Sequence, residues 1–251
     1  MIVAIAGATF RESVRSRSFA LLLALYAVGV LLSRLVGWIA STDINIVTTD
    51  VVFSLQSVMG VLVAVATGTA LVHTEIQQKT LYTVLSRPLP RWHFVLGKFL
   101  GLAGALVVGQ VAMLGIGLFY LVLTGAEVHR WLLLAGLLTT VEVLVMAAVS
   151  LCLTSVSSPL LAAVLCLAAY AVGHAVHSLP ELVHHLQGVR QFIVIGLASL
   201  IPDLGQFAYR NEAVYRLPIG WGELGMRLAY GGAWCALLVT ITVAVIRRRQ
   251  L

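Results

Sequence analysis

The sequence predicts an all-α polytopic membrane protein with six transmembrane helices, preceded by an N-terminal amphipathic helix. A cytoplasmic amphipathic helix and an outward re-entrant or interfacial helical segment before the last span complete it. Three observations lead there. Of 251 residues, 60% are hydrophobic and only 10% are charged, and mean hydropathy is +1.01. A soluble domain needs about 25% charged residues to cover its surface. The apolar residues gather into six runs of spanning length, and Lys and Arg collect in alternate connections. At about 20 residues per span, six spans leave short loops and no room for a separate catalytic domain. Residues 1–251 therefore read as one transmembrane domain.

Taken in order, Met1 to Arg17 mixes apolar residues with Arg11, Arg15 and Arg17 and reads as the amphipathic segment. The first apolar run, Ser18 to Ala40, is too long for the core of a cleaved signal peptide, which takes about 7 to 15 residues. Further spans are expected at Val51 to Val72, Phe94 to Leu123, Trp131 to Leu153, Pro159 to Val176 and Met226 to Ile246. Phe192 to Ile201 is apolar but short, and Pro202 interrupts it, so it suits a re-entrant or interfacial helix within the outward region 179–225. Trp38, Trp92, Trp131 and Trp221 fall at predicted helix ends, as an interfacial aromatic belt requires.

Orientation follows from the basic residues, which resist translocation. The N-terminal segment, the His73 to Lys98 connection and the C-terminal tail hold ten Lys and Arg against Glu12 and Glu75, a net of +8. The opposite side holds five arginines against seven carboxylates, a net of −2. Both termini are thus expected in the cytoplasm, which agrees with an even number of spans. The overall charge of +6 does not point to nucleic acid, because the basic residues sit at the ends of apolar runs and not on an aromatic-bearing face. Cys152, Cys166 and Cys235 lie in apolar runs without CxxC spacing and read as small core residues.

The connection 73–92 is the long one on the cytoplasmic side. Leu81, Val84 and Leu85 form an apolar stripe at i, i+3 and i+4. Pro88 ends the helix by pushing its predecessor out of the α region, and Pro90 reinforces the turn. Periodicity alone leaves open an amphipathic connector without a partner.

The residues of this connection carry a resemblance. Glu75, Thr80 and Leu81, Leu85, Pro88, Arg91 and Gly97-Lys98 resemble the permease subunits of type-2 ATP-binding cassette (ABC) exporters, as do the N-terminal segment and the six-span layout. Ile201-Pro-Asp-Leu-Gly-Gln-Phe207 is similar to an outward segment of that family between the fifth and sixth spans. Within it the chain most resembles the multi-copper-enzyme-maturation-type permeases. The resemblance implies that residues 73–92 form a coupling helix, with Glu75, Thr80, Leu81, Leu85, Arg87 and Pro88 contacting a separate ATPase subunit present in two copies. ATP and Mg would bind that partner, and this chain would bind no cofactor and catalyse nothing. It further implies a homodimer or heterodimer of permeases in the bacterial inner (plasma) membrane, surrounded by lipid, with room for an outward accessory protein. The chain has no phosphate-binding loop of its own: Gly97-Lys98 is followed by Phe99, and Trp92 stands where that motif needs its first glycine.

Three further groups stand out. Gly97, Gly101 and Ala105 recur every four residues and form a small ridge for helix packing, within one chain or between two. Glu142 lies midway along the fourth span, where a carboxyl is either part of a substrate or ion path or a protonated structural group. His174, His177, His184 and His185 cluster before and after Pro180. They fit either a membrane interface or, with His174 and His177 at i and i+3, a metal or haem site. The competing functions are therefore a metal- or haem-binding redox or assembly protein using those histidines, and a membrane scaffold without transport.

Overall fold

The computed structural model describes residues 2–39, 43–77, 91–177 and 201–248. Those residues form helices α1 (Ile2–Val14), α2 (Arg17–Ile39), α3 (Ile44–Gln77), α4 (Arg91–Leu123), α5 (Arg130–Val156) and α6 (Pro159–His177). A 3-10 turn (Leu204–Phe207), α7 (Arg210–Val214) and α8 (Trp221–Arg248) follow, and no strand occurs among the described residues. Six of the helices, α2 to α6 and α8, are long and apolar enough to cross a membrane. The protein is an all-α polytopic membrane protein.

Two spans differ from the sequence expectation. The second begins at Ile44 and not at Val51, because hydroxyls absorb the polar start of the helix. Thr48, Thr49 and Ser54 each donate to the carbonyl four residues earlier, at 2.6, 2.7 and 2.7 Å. A polar side chain satisfied by its own helix costs little in an apolar setting. The last helix begins at Trp221, five residues before Met226, and Glu223 and Arg227 pair at i, i+4 in its first turns, with Nη2 and Oε1 2.5 Å apart.

Helix α5 is enclosed. Its buried residues include Glu142, Val143 and the unbroken run from Val145 to Leu151, the pattern of a helix covered on nearly every side there. Helices α3, α8, α4 and α6 pack around it, α2 packs on α3, and α1 lies along α4. The α1 and α4 contact is close because Gly101 has no side chain: a Cβ there would overlap the Ala6 carbonyl oxygen and stand 2.6 Å from Thr9 Cβ. Thr9 and Ser13 form the buried face of α1, while Val3 is exposed.

One end of the bundle carries the 3-10 turn and α7 and is here named the loop end; the other is the stalk end. At the loop end, α4 stops in a Schellman turn, in which Gly125 takes φ +79° while Gly125 N donates to Val122 O and Ala126 N to Leu121 O. α7 stops in the same way with Arg216 at φ +60°, using Arg216 N to Ala213 O and Leu217 N to Glu212 O. The two turns latch together through an Arg216–Glu127 ion pair and through His129 Nε2 against Ala213 O at 2.7 Å. Arg34, near the loop end of α2, donates from Nη1 to Thr124 O at 3.1 Å.

Candidate functional site: a polar core inside the bundle

A long apolar helix crosses a bilayer without help, but a carboxyl inside it needs partners. Glu142 on α5 is 1% exposed. Ser57 Oγ, from the middle of α3, donates to it and lies 3.1 and 3.2 Å from its two oxygens. The same hydroxyl is 2.9 Å from Tyr170 Oη on α6, with either atom able to donate. One turn towards the loop end, His174 Nε2 stands 3.5 Å from Glu142 Oε1, and its ring packs on Tyr170 with centroids 4.7 Å apart. Three helices thus converge on one carboxyl.

The polar groups continue to the loop end. His177, three residues beyond His174, is exposed and places Nδ1 3.4 Å from Asp203 Oδ2. Asp203 caps the 3-10 turn, its Oδ1 accepting from Gly205 N at 3.1 Å, and its own N–H donates to Tyr230 Oη of α8 at 2.9 Å. Gln206 Nε2 also donates to Asp203, at 3.2 Å, and Arg227 Nη1 donates to Gln206 O at 2.8 Å. On the α3 side, Arg210 Nε lies 3.5 Å from Asp50 Oδ1. Arg210 is within electrostatic reach of Glu142, Tyr170 and His174. Tyr209 beside it donates to Leu217 O; burial pushes its phenol up, so it remains a neutral donor. Residues 201–214 therefore plug the loop end, with Leu204, Phe207 and Ala213 fully buried.

A second polar pair sits in the core. Gln56 Nε2 of α3 donates to Gln110 Oε1 of α4 at 3.0 Å, and both residues are buried. Gly60 makes room for it, since a Cβ there would overlap the Gln110 amide and come within 2.7 Å of Val143 Cγ2.

The residues singled out in the sequence fall into separate places. Gly97, Gly101 and Ala105 face α1: a Cβ at Gly97 would stand 2.9 Å from Ile5 Cβ, and Ala105 is buried. His174 and His177 turn to different carboxyls, Glu142 and Asp203. Among the described residues no group of three His, Cys, Asp or Glu is placed to hold a metal ion. Glu75 lies in the last turn of α3. Thr80, Leu81, Leu85, Arg87 and Pro88, together with His184, His185 and residues 178–200, lie outside the described residues. Ser57, Tyr170, Gln56, Gln110 and Arg210 were not singled out in the sequence. The first four carry a signal nonetheless, each being a polar group deep inside an apolar span.

The arrangement suits exchange of a proton or positioning of a polar group inside a membrane protein. A family model described as ABC-2 family transporter protein matches residues 3–178. The chain belongs to that family. No curated protein matches it significantly. The matched region runs from α1 through the end of α6 and so includes Ser57, Glu142, Tyr170 and His174. This permease is the multi-pass membrane component of an ABC transporter, and the family implies a separate ATPase subunit as its partner.

Proposed function

We propose that this permease is the membrane-spanning subunit of an exporter, working as a homodimer or heterodimer with two copies of a separate ATPase that binds ATP and Mg. The segment from Glu75 to Arg87 is its coupling helix: it docks on the ATPase, and closure of the ATPase dimer moves α3 and α4. The basic excess of +8 on the side carrying that segment supports a cytoplasmic position for it and for both termini. The loop end then faces outward from a bacterial inner membrane, and residues 179–225 offer a surface to an accessory protein.

The observation that carries this reading is the length of the two helices flanking the segment. α3 and α4 have 34 and 33 residues, and α3 continues to Gln77, past the apolar run that ends at Val72. At 1.5 Å per residue the overhang of His73 to Gln77 is about 7.5 Å. A continuous helix transmits displacement where a loop would absorb it. The same α3 supplies Ser57 to Glu142, so a shift of α3 reaches the polar core. A ligand or nucleotide moves the bundle only by binding one arrangement better than the other, and docking at the end of α3 provides that difference.

The test is to purify the tagged permease in mild detergent and identify its stoichiometric partners, then to compare ATPase stimulation by the wild type, Glu75→Lys and Leu85→Asp. We expect a nucleotide-binding ATPase in the preparation and loss of stimulation to the level of the ATPase alone in both variants, with the permease still monodisperse. Wild-type stimulation in the variants removes the coupling role, and a preparation without any ATPase removes the exporter reading.

A further inference from the structure

Among the polar groups of the bundle, Glu142 and His174 are the pair whose arrangement exceeds what packing requires. A carboxyl needed only for structure is satisfied by neutral hydroxyls, and Ser57 and Tyr170 provide them. His174 adds a group that itself takes up protons. It stands between the sealed carboxyl and the exposed His177–Asp203 pair. Its second nitrogen, Nδ1, is buried. With Glu142 1% exposed and its oxygens already facing Ser57 and His174, the packing accommodates a proton as ligand and nothing larger.

We propose that Glu142 and His174 form a proton-binding site in the middle of the membrane, loaded from the loop end through His177 and Asp203. With one proton between them the pair is neutral, as a carboxyl beside a neutral ring or a carboxylate beside an imidazolium. Removing that proton leaves a carboxylate beside a neutral ring. The hydroxyl chain serves either state. A carboxylate accepts from Ser57, which accepts from Tyr170; a protonated carboxyl donates to Ser57, which donates to Tyr170. Reversal of two hydroxyl rotors is a small structural change that a close-packed core permits.

The charged and titratable groups facing the site come from every element around it. Tyr170 and His177 come from α6, Asp203 from the 3-10 turn and Arg210 from α7; behind them Asp50 of α3 stands beside Arg210, and Tyr230 and Arg227 of α8 hold Asp203 and Gln206. Arg210 is a cation within electrostatic reach of Glu142 and also stands beside Asp50. Towards the stalk end α5 continues with Val143, Val145, Met146, Ala147 and Val149, all buried, and the first polar side chain beyond Glu142 on that helix, Ser150, donates to Ala147 O of its own helix. Polar groups therefore lead to Glu142 from one side of the membrane, the layout of a loading site and not of a through-channel. Because Leu204 and Pro202 press on Gly173 and Gly205 on His177, the proton route and the plug at the loop end share the same residues. This narrows the path expected at Glu142 to a proton path. That the loop end is the outward side rests on the orientation proposed above.

The test uses the full chain in lipid nanodiscs and infrared difference spectroscopy after a change of pH, which requires no ATPase. The wild type is expected to show the carbonyl band of a protonated carboxyl that appears and disappears with pH. Glu142→Gln should lose that band and His174→Gln should shift its midpoint. Tyr170→Phe should keep it at an altered frequency, which guards against a Glu142 variant that merely misfolds. After a pH jump, His177→Ala combined with Asp203→Asn should slow the exchange at least several-fold. A carboxyl band that never changes with pH, or a titrating band that survives in Glu142→Gln, overturns the site. An unchanged exchange rate in the double variant overturns the route. These outcomes are independent of whether an ATPase copurifies, so failure here is distinguishable from failure of the exporter reading.

Discussion

Helices α3, α6 and α8 have the same mean hydropathy, 1.9 over their best windows, yet 61% of the α3 window is buried and only 17% of the others. α4 and α5 repeat the contrast at 2.3, with 33% and 67% buried. In water such a difference would be written into the sequence as hydrophobicity. In a bilayer it is not, because lipid tails are as apolar as leucine and apolar area gives a helix no reason to prefer a neighbour over lipid. What separates the central helices from the peripheral ones is small residues that admit close approach and polar groups that find each other. α3 carries Gly60, Gly68, Gln56 and Ser57 at its contacts with α4, α5 and α6. α6 shows Leu160, Leu161 and Val164 on an exposed face.

The sharpest way to break the contrast is to fill the close approaches. Gly60→Leu and Gly68→Leu on α3 should each destabilise the bundle by about 2–3 kcal/mol, since a Cβ at Gly68 already overlaps Ser150 Oγ. Gly115→Leu on α4 should change stability by less than about 0.5 kcal/mol, because nothing lies within 4 Å of that position. Equilibrium unfolding in mixed micelles measures all three. Equal losses at Gly60 and Gly115 would show that close approach does not distinguish the central helix.

Polar pairing should carry less. Gln110→Leu leaves the buried Gln56 amide without its partner, at a cost of about 1–2 kcal/mol. A double-mutant cycle with Gln56→Leu should return a coupling of about 0.6 kcal/mol, as for other hydrogen bonds between membrane helices. At the loop end, Tyr230→Phe removes the acceptor of the Asp203 N–H and should cost about 1 kcal/mol. The smallest effect belongs to the periphery. Leu160→Ala, at a side chain 79% exposed, should lower monomer stability by less than about 0.5 kcal/mol; a loss as large as at Gly60 would reveal a covering helix from another chain.

Much of the fold was legible because membrane spans are a one-dimensional signal. The run from Trp131 to Leu153 differs from the observed α5 by one residue at its start and three at its end, as hydropathy windows allow. The start of α3 was not legible, because Thr48 and Thr49 look like a polar loop until their hydroxyls are seen to bond their own helix. Glu142 stood out as a lone acid in an apolar run, but its partners did not. Ser57 is 85 residues away in sequence, and a serine within a span is usually satisfied by its own backbone. The small ridge at Gly97 and Gly101 announced a close contact without naming α1 as the neighbour.

By itself the sequence determined that this chain crosses a membrane six times as a helical bundle, since length and hydropathy are properties of each segment alone and backbone hydrogen bonding in lipid admits little else. Only the tertiary structure decided that α5 and α3 stand at the centre and that Glu142 meets Ser57, Tyr170 and His174. It likewise decided that residues 201–214 close one end over them. Those outcomes depend on which faces of different helices meet, and in a medium as apolar as the helices themselves that choice rests on a few close approaches and hydrogen bonds between residues far apart in the chain.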